Sequence, residues 1–212
     1  MIKTLIKTVI VIWFSLSLTA CYKASMPAKT AGFVGDYSKL KPLQNDVHTL
    51  FYLDKKADWK SYHSIIIHPV RIFFFDESKH VDIKRDELVT LTEYYSREMK
   101  AAIGERFKIV RRPGPGVLRL RVAITDVKPT DVVANIISKT LIYLPVDMGE
   151  AAMEGELRDS ASGEMVAAMV DRRIGSVFSS SLGYTKWGHV KDAFEDWAEQ
   201  LNSVITSQTI ED

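Results

Sequence analysis

The chain has 212 residues, with 28 basic against 27 acidic, a formal net charge of +1 and 46% hydrophobic residues. That length is consistent with one domain large enough to bury its own core. The near-neutral balance argues against nonspecific nucleic-acid binding, which depends on neutralising phosphates, and against an electrostatic grip on anionic lipid.

Met1-Ile2-Lys3-Thr4-Leu5-Ile6-Lys7 opens the chain, and an apolar run from Thr8 to Ala20 follows. A basic stretch ahead of a short apolar one is the layout of a secretory signal. A membrane-spanning helix needs roughly 20 mainly apolar residues, and this run is shorter. The run closes on Leu18-Thr19-Ala20-Cys21, which resembles the bacterial lipobox. The resemblance implies cleavage between Ala20 and Cys21 and acylation of both the Cys21 sulfur and its new amine. Two or more acyl chains hold firmly where one is marginal, at about 0.8 kcal/mol per buried CH₂. Cys21 is the sole cysteine. The alternative is an idle thiol behind an ordinary signal, and an exported chain with one leftover cysteine raises that question. Either way no intrachain disulfide holds the fold. Tyr22 rather than aspartate follows the cysteine, which by the same resemblance directs the protein to the outer membrane, on its periplasmic side. Without Lys3 and Lys7 the net charge becomes −1.

Residues 22–34 are small, polar and proline-containing and read as a tether, so the chain divides into a signal (1–20), a lipidated cysteine with its tether (21–45) and a domain (46–212). Between 58 and 75, Ile65-Ile66-Ile67 and Phe73-Phe74-Phe75 read as a strand buried on both faces, with Pro69 marking a break or an edge. A long helix follows, capped by Asp82, with Asp86 and Glu87 at the positive end of its dipole. Leu88, Leu91, Tyr95, Met99, Ala102 and Ile103 form its apolar stripe and Gly104 its stop. Phe107-Lys108-Ile109-Val110 is a short strand, and Arg111 to Gly116 is a turn by its proline and glycine content. Leu118, Leu120, Val122 and Ile124 alternate with Arg119, Arg121, Ala123 and Thr125, which predicts a half-buried strand pairing with its predecessor as a hairpin. Residues 131–148 are apolar without a clear period and read as a short helix or a projecting hairpin. Residues 150–175 read as a second hairpin around Asp159 to Gly163. After a serine-rich loop at 179–183, a helix begins near Lys186. There Trp187, Val190, Phe194, Trp197, Leu201 and Val204 step by three and four and lay both tryptophans on one face. The expected fold is a single α/β domain: a mixed or antiparallel sheet of about five strands packed by two main helices.

Several blocks carry a wider likeness: the lipobox, Gly35 to Leu40, Asp58 to Val70, Leu118 to Val127, Gly155 to Arg173 and Trp187 to Ala198. In this order they resemble one bacterial lipoprotein family, the domain of unknown function numbered thirty-three-thirteen, over nearly the whole chain after Cys21. Ala161-Ser162 stands where a Thr-Gly pair is more usual, which bears only on the rigidity of that turn. The order strand, helix, strand, hairpin is also distantly similar to the periplasmic domain of the curli-secretion lipoprotein. Analogy of fold does not carry function.

No catalytic constellation emerges. His63 and His68 are five apart on a predicted strand, which points them to opposite faces. His48, His80 and His189 are scattered, and no His-Glu-x-x-His is present. Gly32-x-x-Gly35 and Pro113 to Gly116 lack the lysine of a phosphate loop, and the serines at 179–181 lack a nucleophile elbow. Asp126, ending a strand, and Asp159 and Glu164, around a turn, could form a carboxylate pair, though loop solvation explains the latter two. No catalytic residue, metal or cofactor is therefore expected. The leading expectation is a lipid-anchored envelope protein acting by binding or assembly, with the membrane, an envelope protein or a second copy as partner and no nucleic acid. Its candidate contact residues are Ile136, Ile137, Leu141, Ile142 and Tyr143, which are apolar and outside any obvious core element. Asp36 with Tyr37 either binds a partner or docks the tether to the domain. Two other readings compete: an oligomeric outer-membrane pore, and a hydrolase whose site has no recognisable motif.

Overall fold

Among the described residues, the alternating run that begins at Val117 and the apolar run Ser64–Ile67 lie side by side in one sheet. The computed structural model describes residues 28–44, 46–75, 83–132, 149–175 and 185–210. The strands are β1 (Lys41–Leu43), β2 (Asp46–Leu53), β3 (Ser64–Ile67), β4 (Arg71–Ile72), β5 (Lys108–Ile109), β6 (Val117–Lys128), β7 (Glu150–Asp159) and β8 (Met165–Ile174). The helices are α1 (Arg85–Gly104) and α2 (Gly188–Ile210), and a single 3₁₀ turn covers Trp59–Ser61. The sheet runs β1-β2-β8-β7-β6-β3-β5, with β4 also beside β6. Among these pairings β3, β4 and β5 are parallel to their neighbours and the rest are antiparallel. The described residues form one α/β domain, with a mixed sheet and two helices among them.

Two expectations change. Among the described residues the sheet has eight strands rather than about five: β1 and β2 lie in a stretch for which no element was expected, and β4 is split from β3 at Pro69. Pro69 does break the 58–75 run, and β3 and β4 lie in turn along β6. The expected hairpin between 107–110 and 117–125 does not form: β3 lies between the two strands and pairs in parallel with both. Gly116 makes that arrangement possible. Its carbonyl accepts the His63 and Ser64 amides at 3.1 and 3.2 Å, its φ is +68°, and a Cβ there would fall 2.3 Å from the His63 ring. Only glycine meets both conditions. The hairpin of β7 and β8 stands as read, from Glu150↔Ile174 to Arg158↔Met165.

α1 begins at Arg85 behind Lys84; Asp82 lies outside the described residues. Glu87 accepts the Lys84 amide and so closes the first turn. Leu91, Tyr95, Met99 and Ile103 of its stripe are buried. They meet Val190, Phe194, Trp197 and Ile205 of α2 over the apolar sides of β6 and β7. Tyr95 stacks on Phe194 with centroids 4.6 Å apart and planes 9° apart, the offset contact that aromatic quadrupoles favour. Both helices cover the same face of the sheet. The opposite face is covered by residues 28–40, part of the stretch expected as tether, and a small cluster of Val34, Met165 and Ala168 with Tyr37, Leu40 and Tyr52 sits under them.

Candidate functional site

β7 reads Glu150-Ala151-Ala152-Met153-Glu154-Gly155-Glu156-Leu157-Arg158. A strand alternates its faces, so Met153 and Leu157 join the helix-side core while Glu154 and Glu156 point together to the other face. Both are buried, at 0% and 1% exposure. A buried carboxylate is costly unless paired or hydrogen-bonded, and the chain segment 31–37 supplies the partners. The Phe33 and Val34 amides donate to Glu154 Oε2 at 2.9 and 3.1 Å. The Ala31 amide donates to Oε1, and the Tyr37 hydroxyl donates to Oε2. Tyr37 in turn accepts the Gly32 and Val34 amides at 2.9 and 3.1 Å. Successive amides turned onto one anion form a backbone nest; here the anion is the protein's own side chain. Burial first, then the hydrogen bond to Glu154, pushes the Tyr37 phenol well above its ordinary value, so it stays protonated and donates.

Glu156 extends the latch. Its Oε2 accepts the Gly35 amide at 3.2 Å and Arg158 at 2.8 Å, and its Oε1 takes Arg121 Nη1 at 2.6 Å. Burial would raise this carboxyl, but Arg158, the Gly35 amide and Arg121 outweigh it and hold it below the usual range. Arg121 also lies 4.9 Å over the Phe33 ring, and Phe33 packs on Phe73 with centroids 5.8 Å apart. The strap is thus held by charge-assisted hydrogen bonds and by aromatic contacts.

A third buried carboxylate lies on the helix side. Asp171 of β8 accepts the Thr49 hydroxyl at 2.6 Å, Trp197 Nε1 at 2.6 Å and Arg173 Nε at 3.0 Å. It joins β2, β8 and α2. In all three cases the carboxylate oxygens are occupied by amides, hydroxyls, an indole or guanidinium groups, which leaves them suited to holding elements together rather than to moving protons.

Of the residues singled out by sequence, Tyr37 is part of the latch. Asp36 beside it accepts the Ser38 hydroxyl at 2.6 Å and amide at 2.9 Å, which lower its pKa and shape the turn into β1. Ala20, Cys21, Ile136, Ile137, Leu141, Ile142 and Tyr143 lie outside the described residues, as do His80 and the serine loop. His63 and His68 flank β3 and do not converge. Asp159 caps the β7–β8 turn through the Ala161 and Ser162 amides at 2.9 and 2.7 Å. Among the described residues no three His, Cys, Asp or Glu side chains gather to hold a metal, and no helix is long and apolar enough to cross a membrane. Glu154, Glu156 and Asp171 were not anticipated. For the two glutamates the one visible signal is their spacing of two within the small and apolar middle of a strand.

The uncharacterized lipoprotein YdcL of Escherichia coli K12 is 26% identical to this chain over 197 residues, covering 86% of this chain and 88% of its own. Solved structures with a similar fold are more distant. A PelC dodecamer from Paraburkholderia phytofirmans is 12% identical and covers 76% of this chain and 95% of its own, with a TM-score of 0.39. Protein XCC0632 from Xanthomonas campestris is 12% identical over 74% of this chain and 92% of its own, with a TM-score of 0.41. The family of proteins of unknown function DUF3313 matches residues 29–201, from the start of the strap into α2, and the chain belongs to that family.

Proposed function

We propose that this protein is a lipid-anchored envelope lipoprotein that works by binding or assembly, held through acylated Cys21 on the periplasmic side of the outer membrane. The observation that carries the reading is the pairing of a lipobox ending at Cys21 with a strap, starting at Ala28, that is latched to the sheet by Glu154. A protein held by its N-terminus transmits any pull from the membrane through that segment. Multiple amide-to-carboxylate bonds make the attachment stiff where a free coil would give. The name of the Escherichia coli relative supports the lipoprotein address, and Tyr22 after the cysteine supports the outer membrane. The saturation of Glu154, Glu156 and Asp171 by structural partners supports binding over catalysis. The apolar stretch 131–148, with Ile136, Ile137, Leu141, Ile142 and Tyr143, is the proposed contact for an envelope protein or a second copy.

Metabolic labelling with an alkyne fatty acid, followed by mass spectrometry of the N-terminal peptide, tests the anchor. Label on the wild type and none on Cys21→Ser is the expected result; a bare thiol on protein that still sediments with membranes overturns it. Crosslinking in cells tests the contact. Ile137→Asp with Leu141→Asp should lose partners while the circular dichroism spectrum stays that of the wild type. An unchanged set of crosslinks in a folded variant removes the proposed role of that stretch.

A further inference from the structure

The two ends of the sheet differ in what they gather. At one end lie the start of β2, the ends of β4, β6 and β8, the start of β7 and the first turns of both helices, as the register and element order require. The opposite end carries the tight β7–β8 turn, the 3₁₀ turn and the start of β3. The strap joins the first end: the Ala28 amide donates to the Val47 carbonyl at 2.9 Å. Among the described residues five large apolar side chains stand well exposed, Leu43, Val47, Val89, Ile109 and Ile174. Four of these belong to the first end. Leu43 pairs opposite Asp46, Val47 follows it, Ile174 closes β8, and Val89 lies in the second turn of α1. Ile109 alone sits near the other end.

Several charged side chains at the first end are paired with one another. Arg172 pairs with Glu150, Arg173 with Asp171 and Asp196, and Lys186 with Glu87. A rim of aliphatic side chains among neutralised charges suits the boundary between headgroups and acyl chains.

Chain length excludes the opposite end of the sheet. Seven peptide steps separate Cys21 from Ala28, and fully extended they span about 25 Å. β7 has ten residues, which place the β7–β8 turn roughly 30 Å from the strap's entry. An anchor at Cys21 cannot bring that turn to the bilayer ahead of the near end. We infer that the end of the sheet bearing Leu43, Val47 and Ile174 rests on the lipid surface in which Cys21 is anchored. This rests on the lipid-anchored reading above and adds to it the orientation of the domain.

The test uses the full-length acylated protein in vesicles of phosphatidylethanolamine and phosphatidylglycerol carrying brominated acyl chains. With its single cysteine acylated, the chain leaves an introduced cysteine as the sole labelling site. An environment-sensitive fluorophore is placed at Val47→Cys, Ile174→Cys or, in the far turn, Ala161→Cys. The first two should shift to the blue and lose emission to the brominated lipid, and the third should do neither. Equal, water-like emission at all three, with Cys21 acylated by mass, overturns the orientation and leaves the anchor standing. So does quenching at Ala161→Cys alone. A bare Cys21 thiol instead removes the anchored reading itself.

Discussion

The two faces of the sheet are closed by different chemistry. On one, two amphipathic helices bury Tyr95, Phe194, Trp197 and their aliphatic neighbours, and one carboxylate, Asp171, pins the helix layer through an indole and a hydroxyl. On the other, a strap without regular secondary structure is held by hydrogen bonds to Glu154 and Glu156, with a smaller apolar cluster beneath it. The hydrophobic effect scales with buried area, so the helix face dominates global stability. The strap face relies on directional bonds, which add less in total and fail locally. The lesson is that a segment can be fixed firmly in place without belonging to the cooperative core.

The largest test of that contrast is Phe194→Ala. The ring is fully buried and stacked on Tyr95, and truncating a buried phenylalanine costs about 3–5 kcal/mol. The denaturation midpoint should fall sharply with the strap and core unfolding together. A change under about 1 kcal/mol would mean that the helix layer is not the main store of stability.

Glu154→Gln comes next. A neutral amide keeps one acceptor but turns the other oxygen into a donor facing the Ala31 amide or the Tyr37 cluster. Loss of charge-assisted bonds at one buried site costs about 1–3 kcal/mol. The strap can escape part of that by peeling into water, so limited proteolysis should cut within 28–37 well before the global transition. Wild-type protease resistance with an unshifted midpoint would show that packing of Phe33 and Val34, not the latch, holds the strap.

Acid should separate the faces in the same way. Glu156 has a lowered folded-state pKa, so its ionised form is the one the fold favours. Its contribution is present above the ordinary glutamate value of about 4.3 and is lost as pH falls through the lower folded value. Hydrogen exchange at the Gly35 amide, which donates to Glu156, should therefore accelerate relative to core amides below about pH 4. Parallel acceleration of core and strap amides would mean that the two faces unfold as one.

How far the sequence could be read follows the same division. The helix face was legible because its stripes repeat every three or four residues: Leu91, Tyr95, Met99 and Ile103 in α1, and Val190, Phe194 and Trp197 in α2. The β7–β8 hairpin was legible from the turn at Asp159 to Gly163 between two apolar stretches. The position of β3 between β5 and β6 was not, because a parallel pairing brings together residues distant in sequence and no local pattern marks it. The strap was least legible of all. Its binding groups are backbone amides, which have no residue signature, and composition alone made residues 28–34 look like free tether. Besides Asp36 with Tyr37, read as binding a partner or docking the tether, the sequence carried one signal that something must cover that face: Glu154 and Glu156, acidic in an otherwise buried strand.

The smallest expected effect probes a gap in the packing of the helix face. A cavity of about 50 Å³ lies under the second half of α2, bordered by Gly155, Val122, Met153, Trp197 and Leu201. Gly155 lies in the middle of β7, and a Cβ built on it meets Val122 Cγ2 at 3.5 Å, the Arg121 carbonyl oxygen at 3.7 Å and Met153 Cε at 3.9 Å. These are ordinary contacts, and its backbone is not in the left-handed region. Alanine should therefore fit, add dispersion contacts in the void and reduce the entropy of the unfolded chain. Gly155→Ala is expected to raise the denaturation midpoint by the equivalent of about 0.4–1 kcal/mol, with strap proteolysis unchanged because the added methyl faces away from Glu154 and Glu156. A lower midpoint would mean that α2 must settle against bare backbone at Gly155, and that the void is a packing requirement of the helix face.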